Sequence, residues 1–223
     1  MARIEAEPED LTARARIRDA ALRQFGEHGF ERATIRGIAE AAGVSSGLVR
    51  HHFGSKEALR DACDEFLIAS LHRLNEQARA EPAPTEVNPV ASAQAAFGPY
   101  QPYLARALVE GRAAPLFDEM VRMSEQWLEE ADRNRPDPPF ADRRARATVG
   151  TAMGLAVPLL QQHVARGLGA DLSSPEGAHL LAVVLLDIHS HPILSPEAAA
   201  EMRAALERIR DTPTDPRTRR SAT

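Results

Sequence analysis

Apolar residues recur at spacings of three and four along nearly the whole chain, and the strict alternation of a half-buried strand is scarce, so the pattern predicts an all-α protein. Ile17, Ala21 and Phe25 line one face of a first helix over about 12–27, which stops at Gly29. Thr34 is placed to cap a second, short helix whose inner face is Ile35, Ile38, Ala39 and Ala42, with Gly43 as its left-handed stop. Ser45 caps a third helix that runs to about 52 or 53. Ser55 caps a fourth, carried to about 79 by Leu59, Cys63, Phe66, Leu67, Ser70, Leu71 and Leu74, with Glu57 in the first turn where the helix dipole favours an acid.

Beyond a proline-rich break at 81–89, helical patterning resumes over 90–97, 103–110 and 115–133. A second break at 135–139 precedes a long helix over about 140–166, which Pro158 should kink. Ser174-Pro175-Glu176 and Ser195-Pro196-Glu197 each combine a cap, a first-turn proline and a first-turn acid, opening helices that run to about 190 and 210. The polar ends, 1–10 and 212–223, read as mobile tails.

With 223 residues, 43% of them apolar, the chain can bury a core, which excludes a disordered tail. Its single cysteine, Cys63, cannot form an intrachain disulfide, and the start of the chain is acidic rather than apolar, so a cytoplasmic protein is expected. No membrane span is expected: the run at 152–160 is interrupted by Gly154 and Pro158, and that at 180–186 is stopped by Asp187. The net charge of −5 argues against a polyanion partner only as an average. Residues 11–60 hold nine basic against five acidic side chains, a net of +4, while 61–223 hold 17 against 23, a net of −6. A basic unit followed by a larger acidic one points to two tasks, one of them involving phosphates.

Residues 34–53 are the most informative stretch: a short helix, the tight turn Ala42-Gly43-Val44-Ser45, and a second short helix. Such a pair is either a helical hairpin within an ordinary α domain or a helix-turn-helix whose second helix enters a DNA major groove. The polar face of Ser45, Ser46, Arg50, His51 and His52, groups that donate to phosphates and base edges, favours the second. Val44, Val49 and Phe53 should face inward and hold that helix in place.

Ile17, Phe25, Gly29-Phe30, Thr34, Ile38-Ala39, Ala42-Gly43-Val44-Ser45, Gly47, His52-Phe53 and Ser55-Lys56-Glu57-Ala58-Leu59 resemble the N-terminal DNA-binding domain of TetR-type transcriptional regulators, over about 12–60. The resemblance implies a helix-turn-helix head over 11–60, with its fourth helix continuing to about 80. A ligand-binding and dimerisation domain over 61–211 would follow. It further implies a homodimer on a palindromic operator, usually a repressor, released when a small molecule enters the C-terminal part. Carried over by position, Thr34 matches a phosphate contact at the start of the second helix, and Ser46, Gly47 and Leu48 match the start of the recognition helix. Arg50 stands where the family most often has Tyr, and Arg likewise binds phosphate or forks onto guanine. His51 and His52 match further backbone contacts and Lys56 a phosphate-binding lysine at the opening of the fourth helix. Arg36, on the outer face of the supporting helix, is a further candidate.

Two recognition helices must lie about 34–36 Å apart to read successive grooves. The two most apolar C-terminal helices, over about 140–166 and 175–190, are the candidates for holding that spacing, through Val149, Met153, Leu155, Leu159, Leu160, Val164, Leu181, Val184, Leu185 and Ile188. Phe97, Tyr100, Tyr103, Phe117, Met120, Met123 and Trp127 are the candidate lining of a ligand cavity among the middle helices. No cofactor or metal is expected: His189 and His191 are two apart and point to different helix faces, and no cysteine is near them. Phosphate-loop, nucleophile-elbow and zinc-protease motifs are absent, so an enzyme is not expected. The remaining alternative is a helical interaction module whose head has lost DNA recognition, which Leu48 and Arg50, both unusual types at their positions, leave open.

Overall fold

The computed structural model describes residues 8–80, 88–191 and 193–211; most of both tails and of the first proline-rich break lies outside the described residues. Among the described residues all regular structure is helical: α1 (Pro8–His28), α2 (Ile35–Ala42), α3 (Ser46–Phe53), α4 (Lys56–Ala80), α5 (Pro89–Phe97), a 3₁₀ turn (Gly98–Tyr100), α6 (Gln101–Val109), α7 (Ala114–Arg133), α8 (Arg143–Leu159), α9 (Gln161–Leu168), α10 (Pro175–Ser190) and α11 (Pro196–Asp211). No helix among them is long and apolar enough to cross a membrane.

Two helix boundaries differ from the sequence reading. α1 begins at Pro8, inside the stretch read as a tail, since a helix's first amides have no intrahelical acceptor and a proline costs nothing there. The predicted long helix over 140–166 is two helices, not one kinked helix. Pro158 has no N–H to bond the preceding turn, α8 ends at Leu159, and Leu160 leaves the helical region (φ −101°, ψ 22°) before α9 begins at Gln161.

The described residues up to Leu180 form one compact unit; those from Leu181 onward form a second, holding the end of α10 and all of α11. Within the first unit, Ile17, Leu22 and Phe25 of α1, Ile38 of α2, Val49 of α3, and Leu59 and Leu67 of α4 are fully buried. The same core continues through Tyr103 and Ala107 of α6 to Leu116 of α7, so the packing does not close off at position 60. α7 and α8 are joined by a bidentate Arg146–Asp132 pair (2.9 and 2.5 Å), which lowers the Asp132 pKa, and by a Ser124–Thr151 hydroxyl bond (2.9 Å). In the second unit, α11 leaves Met202, Leu206 and Ile209 exposed along one face.

Among the contacts that join the first four helices to the rest, the seam between α1 and α6 is the tightest, backbone against backbone. Gly26 is buried with the α6 backbone lying against it, so that a β-carbon there would sit 2.7 Å from the Tyr103 amide nitrogen. Beside it, Arg106 Nε donates to the Gly26 carbonyl (3.1 Å), and the Tyr103 hydroxyl donates to Asp64 Oδ1 of α4 (2.5 Å). Burial raises the Asp64 pKa, and burial together with that carboxylate pushes the Tyr103 phenol far up. Gly26→Ala is expected to lower stability by about 1–3 kcal/mol through overpacking, offset in part by the roughly 1 kcal/mol gained on replacing a helical glycine. Chemical denaturation measures it, and a variant as stable as the parent would show that the α1–α6 seam yields without cost.

Candidate nucleic-acid interface

Local capping rules build the helix-turn-helix. The Thr34 hydroxyl oxygen accepts from the Gly37 amide (3.0 Å) and starts α2. Gly43 ends it in the left-handed region (φ 67°), where a side chain would be strained, with its N–H and that of Val44 bonded back to Glu40 and Ala39. Ser45 then starts α3, its hydroxyl oxygen accepting from the Leu48 amide (3.1 Å). Each cap uses its oxygen on the helix and keeps its O–H to donate outward, and both residues are exposed.

The inner face of α3 is Val49, fully buried, and Phe53, with Val44 half-buried ahead of it. Burying a side chain of this size contributes about 1.5–3 kcal/mol, which an eight-residue helix needs because helices this short are unstable alone. The outer face carries Gly47, Arg50 and His51, all exposed, with Ser46 and Leu48 half-exposed. Arg50 has no carboxylate partner among the described residues. His52 is half-buried, its ring against those of His51 and Phe53 (centroids 5.5 and 6.1 Å). Arg36 projects from α2 into solvent. Arg50, His51 and His52 crowd the last turn of α3, where the helix dipole favours positive charge.

Lys56, expected to bind phosphate, is placed differently. Its ammonium donates to the carbonyls of Phe30 (2.9 Å), Ala33 (3.1 Å) and Glu31 (3.4 Å), and it stands 4.4 Å from the centre of the Phe30 ring. An ammonium has three protons to donate, so the α1–α2 connection accounts for all of them. The side chain acts as a staple from the start of α4 to the loop before α2. Arg60 and Arg112 also face the Phe30 ring, at 4.9 and 5.9 Å. Nothing in the spacing of the sequence pointed to this cluster, because its cations lie 23 to 82 positions from the carbonyls and the ring they meet.

The candidate ligand residues do not converge. Tyr103 is engaged with Asp64, and Met123 is buried. Trp127 is partly exposed, donating to Asn75 Oδ1 (2.9 Å) beneath the Arg79 guanidinium. Phe97 and Met120 pack on the main core, and Phe117 is half-buried on α7. A cleft of about 240 Å³ does open between α4 and the α5 region, lined by Phe66, Ser70, Arg73 and Leu74 on one side and Ala96 and Tyr100 on the other; of the seven candidates, Tyr100 alone lines it. The signal for this cleft was the stripe 66, 70, 73, 74, 77 on one face of the fourth helix, polar at three of its five places.

A capped helix pair presenting a polar, basic second helix on a buried apolar back defines a helix-turn-helix protein. Residues 17–63 match the family model for "Bacterial regulatory proteins, tetR family". The chain is similar to the HTH-type transcriptional regulatory protein RaaS of Mycobacterium tuberculosis, 44% identical over 140 residues, which is 62% of this chain and 66% of that protein. It is also similar to the HTH-type transcriptional repressor AcnR of Corynebacterium efficiens, 49% identical over 49 residues, 22% of this chain and 26% of the repressor. Among solved structures, CprB of Streptomyces coelicolor, a TetR family protein in complex with its operator sequence, shares the fold with a TM-score of 0.53 at 21% identity, over 79% of this chain and 98% of that one. The chain belongs to the TetR family of bacterial transcriptional regulators.

Two variants separate the tasks of the basic side chains. Arg50→Ala should weaken DNA binding and reduce the salt dependence of log K by about one, with stability unchanged. Lys56→Met should lower stability by about 1–3 kcal/mol, for loss of charge-assisted bonds, and leave the salt slope as it was. Affinity titrations across salt concentrations, with thermal melts, check both; a slope that falls equally in Lys56→Met would return Lys56 to the phosphate contacts.

Proposed function

We propose that this chain is a sequence-specific, operator-binding transcriptional regulator, a repressor that works as a homodimer and releases DNA when a small molecule binds its C-terminal part. The observation that carries the reading is the outer face of α3. Arg50 stands exposed, without a carboxylate partner among the described residues, on a helix whose opposite face is locked into the core. Such a face can enter a groove about 12 Å wide without rearrangement.

In this reading Thr34 and Ser45 donate their free hydroxyl protons to phosphates, Ser46, Gly47 and Leu48 meet base edges and the sugar-phosphate backbone, and Arg50 supplies a forked contact. His51, His52 and Arg36 add backbone contacts, and Lys56 serves from behind by fixing the angle between α4 and α2. Relatives named as regulators and a repressor support the assignment.

One copy of an eight-residue helix makes too few base contacts for useful selectivity, which is why a dimer is part of the proposal. We place dimerisation on the C-terminal helices. α8 and the turn after it expose Val149, Met153, Leu159 and Leu160, and α10 exposes Ile188. Isolated apolar positions on a surface are ordinary, but a row of them on consecutive turns needs cover.

Selection of bound sequences from random DNA should return a palindrome whose half-sites are centred one helical turn, about 10–10.5 base pairs, or a multiple of that apart. Met153→Glu should convert the dimer to monomer in sedimentation and weaken binding to the selected site at least tenfold. A non-palindromic preference, or no preference at all, would overturn the reading.

A further inference from the structure

The cleft between α4 and the α5 region has a composition that restricts what can fill it. Its volume of about 240 Å³ is roughly eight times the 30 Å³ share of a water molecule in the liquid, room for a molecule of about ten non-hydrogen atoms. Much of the wall is apolar, Phe66 and Leu74 from α4, Ala96 from α5 and the ring of Tyr100, which meets Phe66 edge-on with centroids 5.9 Å apart; Ser70, Arg73 and Gln77 of α4 supply the polar part. The Arg18 guanidinium covers the Phe66 ring at 3.5 Å.

Among the described residues a single cationic side chain, Arg73, lines the cleft. Its Nη2 donates to Ser70 Oγ (2.8 Å), and the buried Ser70 hydroxyl donates to the Phe66 carbonyl (2.8 Å), so the guanidinium is held beside the apolar wall by a neutral acceptor. The other arginines of this region answer to acids: Arg79 to Glu130, Arg122 to Glu119 and Arg146 to Asp132. No carboxylate among the described residues pairs with Arg73. A guanidinium has five N–H donors in a planar fork that matches a carboxylate with two parallel bonds, and one such group balances one negative charge.

We propose that the cleft binds a small monocarboxylate with an apolar body, its carboxylate forked on Arg73 and its body between Phe66, Leu74, Ala96 and Tyr100. This rests on the reading of the chain as a ligand-responsive regulator, and it names the class of that ligand. The site also has a route to the DNA-binding end. α4 is one continuous helix from Lys56 to Ala80, so an occupant that parts α5 from α4 bears on the helix whose first residue staples the loop ahead of α2.

Calorimetric titration of the full chain with benzoate and octanoate, each against its neutral amide, tests the proposal. The acids should bind, and benzamide and octanamide at least tenfold more weakly. Arg73→Gln should weaken acid binding at least tenfold, and Ala96→Leu, which fills the cleft while keeping the charge, should do the same with helicity intact by circular dichroism. Equal binding of acid and amide, undiminished binding by Arg73→Gln, or binding of neither acid would overturn it. DNA selection is measured on the same protein: a palindrome selected by a chain that binds neither acid sinks the cleft assignment alone, whereas acid binding by a chain that selects no DNA supports the cleft and sinks the regulator reading.

Discussion

Everything on the outer side of the helix-turn-helix depends on burying two side chains, Val49 and Phe53, behind a helix too short to persist by itself. Their burial fixes which way α3 is turned about its axis. Because a helix repeats every 3.6 residues, fixing 49 and 53 inward sends 47, 50 and 51 outward. The caps at Thr34 and Ser45 and the left-handed Gly43 set the turn, but without the apolar back there would be no face to present.

Around this anchor, polar groups connect helices where apolar packing alone would let them slide. Lys56 gathers three loop carbonyls, Asp64 takes the Tyr103 proton, Arg106 caps the carbonyl of Gly26, and Gln101 of α6 reaches the Pro158 carbonyl at the end of α8. These bonds are directional, so they transmit orientation as well as attraction. Together they form a continuous physical chain from α8 through α6 to α1 and α4, which the proposed response to a ligand requires: two sites on one set of coupled elements.

What could be seen in the sequence was what is decided locally. Thr34, Gly43 and Ser45 do their work within four residues, and the period of Ile17, Ala21 and Phe25 alone marks an inward face, so the helices and the turn of the head were legible. Lys56 was not: its partners lie 23 to 26 positions back, and the same residue type at a helix start also suits a phosphate. Pro158 announced a disturbance, but whether it bends or ends a helix depended on the backbone at Leu160. The aromatic and methionine residues of the middle helices have the composition of a pocket and of a core alike. Tertiary packing sent Tyr103 to Asp64 and Trp127 to Asn75, while the cleft formed on a stripe of α4 that periodicity could assign only to packing.

The glycine at position 26 has one more implication. Where a main chain presses against another main chain with no side chain between them, the two surfaces must fit as a matched pair. The helix-turn-helix head of this protein is therefore not a detachable cassette. A recognition module grafted from a relative would have to bring its own α6 along, or carry a residue as small as glycine at the seam, before a chimera could hold its new reading head at a defined angle.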